Sequence, residues 1–458
     1  MTDLIQHPGE PRANTIRRVI ATYEPIAQRT FTPTQTVISQ SAGIYLWTPD
    51  GRRLIDFTSG VLVVNLGHHP TFWLQQFQNY LGWRSLPAKS TFCPAPPFTA
   101  YNAITSLEAE ASERLIQFLR ARPGGSRLEQ VLWAASGSEA VQKALWAALA
   151  RDPNRQMILA TRHGFHGKKG LAGAVTGQES DHDRDPRVRF ISFPMLADDD
   201  MPLRQRSFDP LPFRRELELA WKENGRAIGT LITEPYLGGG GSHHPPQEYL
   251  QLLQDFCREH DILFLLDEVQ SNFGRTGYMF AFEAYGLEPD FVMLGKGLGN
   301  GVPVAAVVGR HNVLDKLSYG IGSDTYSANP LSCAAVQATL DVFMTTDILH
   351  HVATVSPIMA NGLKSLRELP FVRQIRGEPG GMVWGVEFDA LGDLTANEIA
   401  RAAVLAAYSG NGSATVDGLH LLGPLAGNVL RIAPPLVITA QEAREACELF
   451  LLSLRRLR

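Results

Sequence analysis

Cysteine is scarce in this chain. Its four, Cys93, Cys257, Cys333 and Cys447, lie far apart and in no Cys-x-x-Cys or Cys/His metal spacing. That pattern excludes a disulfide scaffold, gives no reason to expect a metal, and fits reduced thiols in a cytoplasmic protein. No basic run accompanies the formal net charge of -4, which argues against a nucleic-acid or anionic-membrane partner. No apolar run reaches the length of a membrane span, and the opening MTDLIQHPGEPRANTIRR lacks the apolar core of a secretion signal. Internal repeats and low-complexity tracts are missing too.

What is present is an ordinary globular composition, 44% hydrophobic and 19% charged. At 458 residues the chain exceeds what one core usually supports, so two unequal domains are expected. Residues 43–47 and 53–57 alternate around Thr48-Pro-Asp-Gly51, the signature of a hairpin. The pair His68-His69 reads as loop packing, since no acid or cysteine follows at ligand spacing. From Trp83 to Asn102 the sequence is proline-rich and loop-like, a stretch long enough to border a functional site.

From about 130 to 310, buried strands alternate with helical segments. This predicts an α/β fold with a doubly wound, mostly parallel sheet in a large domain. Beyond about 345 the rhythm changes to a smaller α+β unit, with capping boxes at Thr395-Ala-Asn-Glu398 and Thr439-Ala-Gln-Glu442. The expected boundaries are an N-terminal segment 1–75 contributing to the small domain, a large domain 76–344, and a C-terminal small domain 345–458.

Several strand ends carry chemistry. Asp267 closes the apolar run from Ile262, and Lys296 follows the run Phe291–Leu294 between two glycines. In an open parallel sheet the carboxyl ends of strands line the ligand crevice, so these opposite charges can face one small molecule. A lysine for a Schiff base and an acid for a pyridinium nitrogen are the pair that pyridoxal phosphate requires. The bland reading of the same pair is an ion pair at a sheet edge. The segment Val131–Ala140 runs from a strand through Ser-Gly-Ser into a helix, either a phosphate cradle at a helix N-terminus or an ordinary capped helix. Phe165 sits just past another strand, where a ring can stack on a flat cofactor. Glu234 ends the strand Ile228–Thr233. Arg431, alone in an apolar strand, is either half-buried against a carboxylate or exposed on an edge. The glycine-rich GKGLGNG at 295–301 fits neither GxGxxG nor GxxxxGK[ST], which excludes a nucleotide loop.

Taken together, the chain resembles the class III aminotransferases, fold-type I pyridoxal-phosphate enzymes, over nearly its full length. The matching segments are GIYLWTPDGRRLIDFTSG (43–60), GHHP (67–70), SGSEA (136–140), FHG (165–167), EP (234–235), LDEVQSNFGRTG (266–277), GKGLGNGVP (295–303), TYSANPL (325–331) and LRIAPPL (430–436). The resemblance implies that Lys296 is the Schiff-base lysine and Asp267 the pyridinium partner. It implies that Gln270 contacts the 3-hydroxyl, that Gly137 and Ser138 hold the phosphate, and that Phe165 stacks on the ring, with His166 and Glu234 in the same cofactor set. Thr325, by the same resemblance, completes the phosphate site of a neighbouring subunit, which implies a homodimer with shared active sites. Arg431 matches the arginine that grips a substrate carboxylate, and Val61 stands where a substrate-facing residue follows Ser59-Gly60.

Three departures bear on substrate. Relatives that use glutamate commonly carry a second glutamate in EPxxGEGG, where this chain has Gly239. Without that acid Arg431 must swing out, find water, or stay on a carboxylate in both half-reactions. The expected activity is therefore transamination from an amine or ω-amino acid to a keto acid, with pyruvate favoured. A dialkylglycine-type decarboxylase, a racemase, or a glutamate-linked 4-aminobutyrate or ornithine aminotransferase are the alternatives. Asn272 replaces a usual glycine, and Asp324 puts a negative charge in a phosphate turn, for which the sequence offers no account.

Overall fold

The computed structural model describes residues 4–28, 32–83, 91–182, 184–195, 203–410 and 416–457. The chain divides into two units. Among the described residues, one holds 71–195 and 203–349, and the other combines the residues up to Pro70 with those from His350 onward. Most of the proline-rich stretch after Trp83 is described, but residues 84–90 lie outside the described set.

The larger unit is built on seven strands, here labelled β1 (Gln130–Ala134), β2 (Met157–Thr161), β3 (Val188–Ile191), β4 (Ile228–Thr233), β5 (Leu263–Asp267), β6 (Phe291–Leu294) and β7 (Ala305–Gly309). They lie side by side in the order β1-β7-β6-β5-β4-β2-β3. Pairings from β6 through β5, β4 and β2 to β3 are all parallel, whereas β7 runs antiparallel to both β1 and β6. Every residue of β4, β5, β6 and β7 is buried, because helices cover the sheet. Each fully buried leucine of β5 contributes about 1.5–3 kcal/mol relative to exposure.

The helices that follow strands begin where small or capping residues permit. Ser136 caps the helix Gly137–Ala150, its hydroxyl accepting from the Glu139 amide at 3.3 Å. The helix Gln247–Glu259 packs its apolar face, including Tyr249, Leu252, Leu253 and Phe256, before β5 begins. Asn329 caps the helix Pro330–Thr345, which is buried along most of its length.

The smaller unit holds two sheets. In one, strand Gln40–Ala42 lies beside Tyr45–Trp47, then Arg53–Asp56, then Gly418–His420. The last pair is parallel and joins the two ends of the chain. The expected hairpin at 45–56 is present. The other sheet orders Val372–Gly377, Trp384–Phe388 and Val429–Ile432, all antiparallel. Both expected capping boxes form, at Thr395 with Glu398 and at Thr439 with Glu442. His68 of the histidine pair lies 2.9 Å from the buried carboxylate of Asp56, a packing role. Among the described residues no helix is long and apolar enough to cross a membrane.

Candidate active site

The carboxyl ends of the parallel strands in the larger unit gather the charged and polar side chains that the sequence singles out. Asp267 is the last residue of β5 and is 5% exposed. One of its oxygens accepts from the Val269 amide at 3.0 Å, and the other lies 2.8 Å from Nδ1 of the buried His166. At that distance the carboxylate accepts a hydrogen bond from the Nδ1–H, which holds the ring and the acid together. The histidine thereby aims one Asp267 oxygen.

Lys296 follows β6 at the start of a short 3-10 turn, Lys296–Leu298. Its φ of 48° lies in the left-handed region, a backbone state that costs a non-glycine residue about 1–3 kcal/mol and persists where surrounding contacts enforce it. Asn272 anchors the residue before Lys296. Its amide nitrogen donates to the Glu268 carbonyl at 2.6 Å and to the Gly295 carbonyl at 3.1 Å. The departure from glycine at 272 thus tethers the loop after Asp267 to the residue before Lys296.

Glu234, just beyond β4, accepts from the Phe165 amide at 2.9 Å and from the Gly238 amide at 3.3 Å. Burial pushes its carboxyl up to about 7; nearby His166 pulls it down and Asp267 pushes it further up. Gln270 is packed so closely that a Cβ on Gly238 would stand 2.3 Å from its side-chain oxygen. Phe165 keeps a half-exposed ring, and a Cβ added at Gly239 would come within 3.1 Å of the Phe165 Cβ.

Gly137 and Ser138 open the helix after β1, where amides lack helical partners. Gly137 packs against Val269, which would meet its Cβ at 3.0 Å, so the cradle abuts the loop that carries Asp267. At Gly167 a Cβ would fall 2.3 Å from the Ser138 hydroxyl. Only glycine leaves room for that hydroxyl there. A flat, anionic, phosphorylated pyridine fits this set: an acid for the ring nitrogen, an exposed aromatic face, a helix N-terminus for the phosphate, and a lysine.

Two candidates belong to the smaller unit. Arg431 lies in Val429–Ile432, an edge strand, yet it is only 6% exposed, which excludes the solvent-facing reading. Val61 lies in a turn, Ser59–Leu62, in which all four residues have φ between 51° and 67°. The Ser59 hydroxyl ties this turn to the Ala433 carbonyl at 2.7 Å, two residues past Arg431.

Thr325 is exposed on a turn of the larger unit. Beside it Asp324 acquires the account that the sequence withheld: it is paired at 2.7 Å with Lys143, a buried lysine of the helix Gly137–Ala150. Lys143 escapes a reading of apolar periodicity, although its spacing from Ala140 and Ala147 places it on the buried face.

A doubly wound sheet with a lysine and an acid at neighbouring strand ends defines a fold-type I pyridoxal-phosphate enzyme. The sequence profile described as Aminotransferase class-III matches residues 26–454, and the chain belongs to that family. It is 30% identical over 433 residues to the acetylornithine aminotransferase of Agrobacterium fabrum, covering 91% of this chain and 92% of that one. Among solved structures, the ornithine aminotransferase of Toxoplasma gondii superposes with a TM-score of 0.79 at 22% identity, over 97% of this chain and 95% of its own. An amine transaminase from an uncultivated Pseudomonas species, solved with pyridoxal phosphate bound, gives 0.76 at 25% identity, over 100% and 99%.

Proposed function

We propose that this class III aminotransferase moves an amino group from an amine or ω-amino acid to pyruvate, in a homodimer with shared sites in the cytoplasm. The observation that carries the choice of acceptor is Gly239. The position that would hold a second carboxylate for Arg431 is occupied by a glycine packed on Phe165. With glycine at 239, that position offers no carboxylate for a glutamate-linked exchange at Arg431, and a keto acid with a single carboxylate suits that arrangement.

Pyridoxal phosphate, when bound, supplies the aldehyde that takes up the amino group and the ring that draws electrons from Cα. Lys296 holds it and then moves a proton at the substrate Cα. Asp267, oriented by His166, keeps a proton on the ring nitrogen. Gln270 would contact its 3-hydroxyl, Phe165 would cover the ring, and Gly137 and Ser138 would take the phosphate, with Glu234 in the same set. Arg431 binds the substrate carboxylate, and Val61 lines the substrate side.

The homodimer is supported by exposed apolar residues around Thr325. Phe98, Tyr101, Tyr319, Ile321 and Tyr326 are all exposed, and the Thr99 hydroxyl bonds the Thr325 carbonyl at 3.3 Å. A groove of about 1040 Å³ runs beside them, lined in part by Tyr101, Tyr319 and Asp324. A surface of this kind suits burial against a second copy.

The names of the acetylornithine and ornithine relatives favour a second reading, with 2-oxoglutarate as acceptor. A half-reaction screen separates them. Protein carrying the amino-loaded cofactor is mixed with pyruvate or 2-oxoglutarate and the cofactor absorbance followed; faster turnover with 2-oxoglutarate would overturn the pyruvate assignment. Carbon dioxide release or inversion at Cα without amino transfer would favour decarboxylation or racemisation instead.

A further inference from the structure

We infer that Lys143 and Asp324 are a positioning pair that holds the Thr325 turn in place for the phosphate of the partner subunit, an inference that rests on the shared-site reading above. The three protons of the Lys143 ammonium have three acceptors: the Trp133 carbonyl at the end of β1 at 2.6 Å, Asp324 at 2.7 Å, and the Ser327 hydroxyl at 3.3 Å. The lysine side chain is 6% exposed, and Asp324 is the carboxylate that pairs with it.

Asp324 organises the turn from within. Its second oxygen accepts from the Tyr326 amide at 3.1 Å and the Ser327 amide at 2.7 Å, and the Ser327 hydroxyl donates to the first. These bonds close a loop around Thr325, the residue between the aspartate and the first amide it receives. The far end is closed as well: Asn329 donates to the Tyr326 carbonyl at 2.7 Å while capping the next helix. Thr325 is thus presented from a turn fixed at both ends.

The chemistry also explains why a negative charge is tolerated beside a phosphate site. Asp324 spends its charge on Lys143 and on backbone amides, and the hydrogen bonds from Lys143 and Ser327 outweigh its partial burial to hold its carboxyl below the usual range. The same ammonium sits on the helix whose N-terminus offers Gly137 and Ser138. One side chain therefore links the cradle that a subunit keeps for itself to the threonine that it lends.

Hybrid dimers test this. In a dimer of a Lys296→Ala chain with a wild-type chain, only the wild-type chain forms the visible absorbance that needs Lys296, and its lent threonine comes from the Lys296→Ala chain. Pyridoxal phosphate affinity at that site is measured by titrating the cofactor-free hybrid. Adding Lys143→Met to the Lys296→Ala chain is expected to weaken binding about tenfold, the scale of losing charge-assisted hydrogen bonds. Placing Lys143→Met on the chain that carries Lys296 is expected to change it far less. Asp324→Asn on the lending chain should reproduce the loss should the methionine chain fail to assemble.

Thr325→Ala on the lending chain is the control. Weakening by Thr325→Ala without weakening by Lys143→Met or Asp324→Asn would overturn the positioning role and leave the shared site standing. A loss confined to Lys143→Met on the Lys296 chain would assign the lysine to its own cradle, against the inference. No effect of Thr325→Ala would remove the shared site itself, and the inference with it.

Discussion

Glu234 makes a residue-scale prediction about pH. Its carboxyl is pushed up to about 7 in the fold, against an ordinary value of 4.5. The folded state therefore binds a proton that the unfolded chain releases between those values, and stability falls as pH rises through that window. In cofactor-free protein the loss is on the order of 3 kcal/mol. Because burial also pushes Glu268 up to about 7, Glu234→Gln should reduce this slope and not abolish it, measured as the melting temperature of the two proteins at pH 5 and pH 8. Gly239→Glu meets a different obstacle, since its Cβ presses on Phe165. Overpacking there should weaken pyridoxal phosphate binding about tenfold, read by titration of cofactor-free protein. Asn272→Gly should lower stability by about 1 kcal/mol in urea denaturation, because the Glu268 and Gly295 carbonyls lose a side-chain donor while keeping backbone ones. The strand-end positions of Asp267 and Lys296 were legible in the sequence. The partners of Asn272 and Asp324 were not, because they depend on which distant loops the fold brings together.

At the scale of elements, the turn Ser59–Leu62 is costly. Left-handed backbone disfavours each non-glycine residue by about 1–2 kcal/mol, and a β-branched side chain such as Val61 is the worst suited. Val61→Gly should raise the stability of substrate-free protein by about 0.5–1 kcal/mol, after allowing for the extra freedom of glycine in the unfolded chain. A drop in the denaturation midpoint would mean that Val61 packs more tightly than its exposure suggests. Strands were legible where apolar runs were long and bounded, as in β4 and β6. The short β3 (VRFI), the charged strand Val372–Gly377 (VRQIRG) and the three-residue Gly418–His420 gave no comparable pattern. Direction was not legible for β7, since burial on both faces looks the same whichever way a strand runs. The helix Ile348–Lys364 contains Pro357, which breaks the usual helical signal.

At the scale of the molecule, the smaller unit depends on a buried hub. Glu10 accepts from Arg17 at 2.8 Å, Arg52 at 2.7 Å and the Tyr408 hydroxyl at 2.6 Å, joining the first helix, the hairpin and a late helix. Burial raises the Glu10 carboxyl, but the bonds from Tyr408, Arg17 and Arg52 outweigh it and leave it lowered. Its contribution is therefore present above about pH 4.5 and is lost as pH falls through the depressed folded value. Glu10→Ala, which strands Arg17 in the interior, should cost about 3–5 kcal/mol at neutral pH, measured by urea denaturation of the whole protein. The parallel pairing of Arg53–Asp56 with Gly418–His420 has a consequence for synthesis. At ordinary elongation rates Asp56 leaves the ribosome roughly 20–70 s before His420 exists to pair beside it. The larger unit, contiguous in sequence, can close in that interval. The N-terminal hairpin must wait with its apolar face uncovered, so the nascent chain passes through a long period in which chaperone capture competes with aggregation.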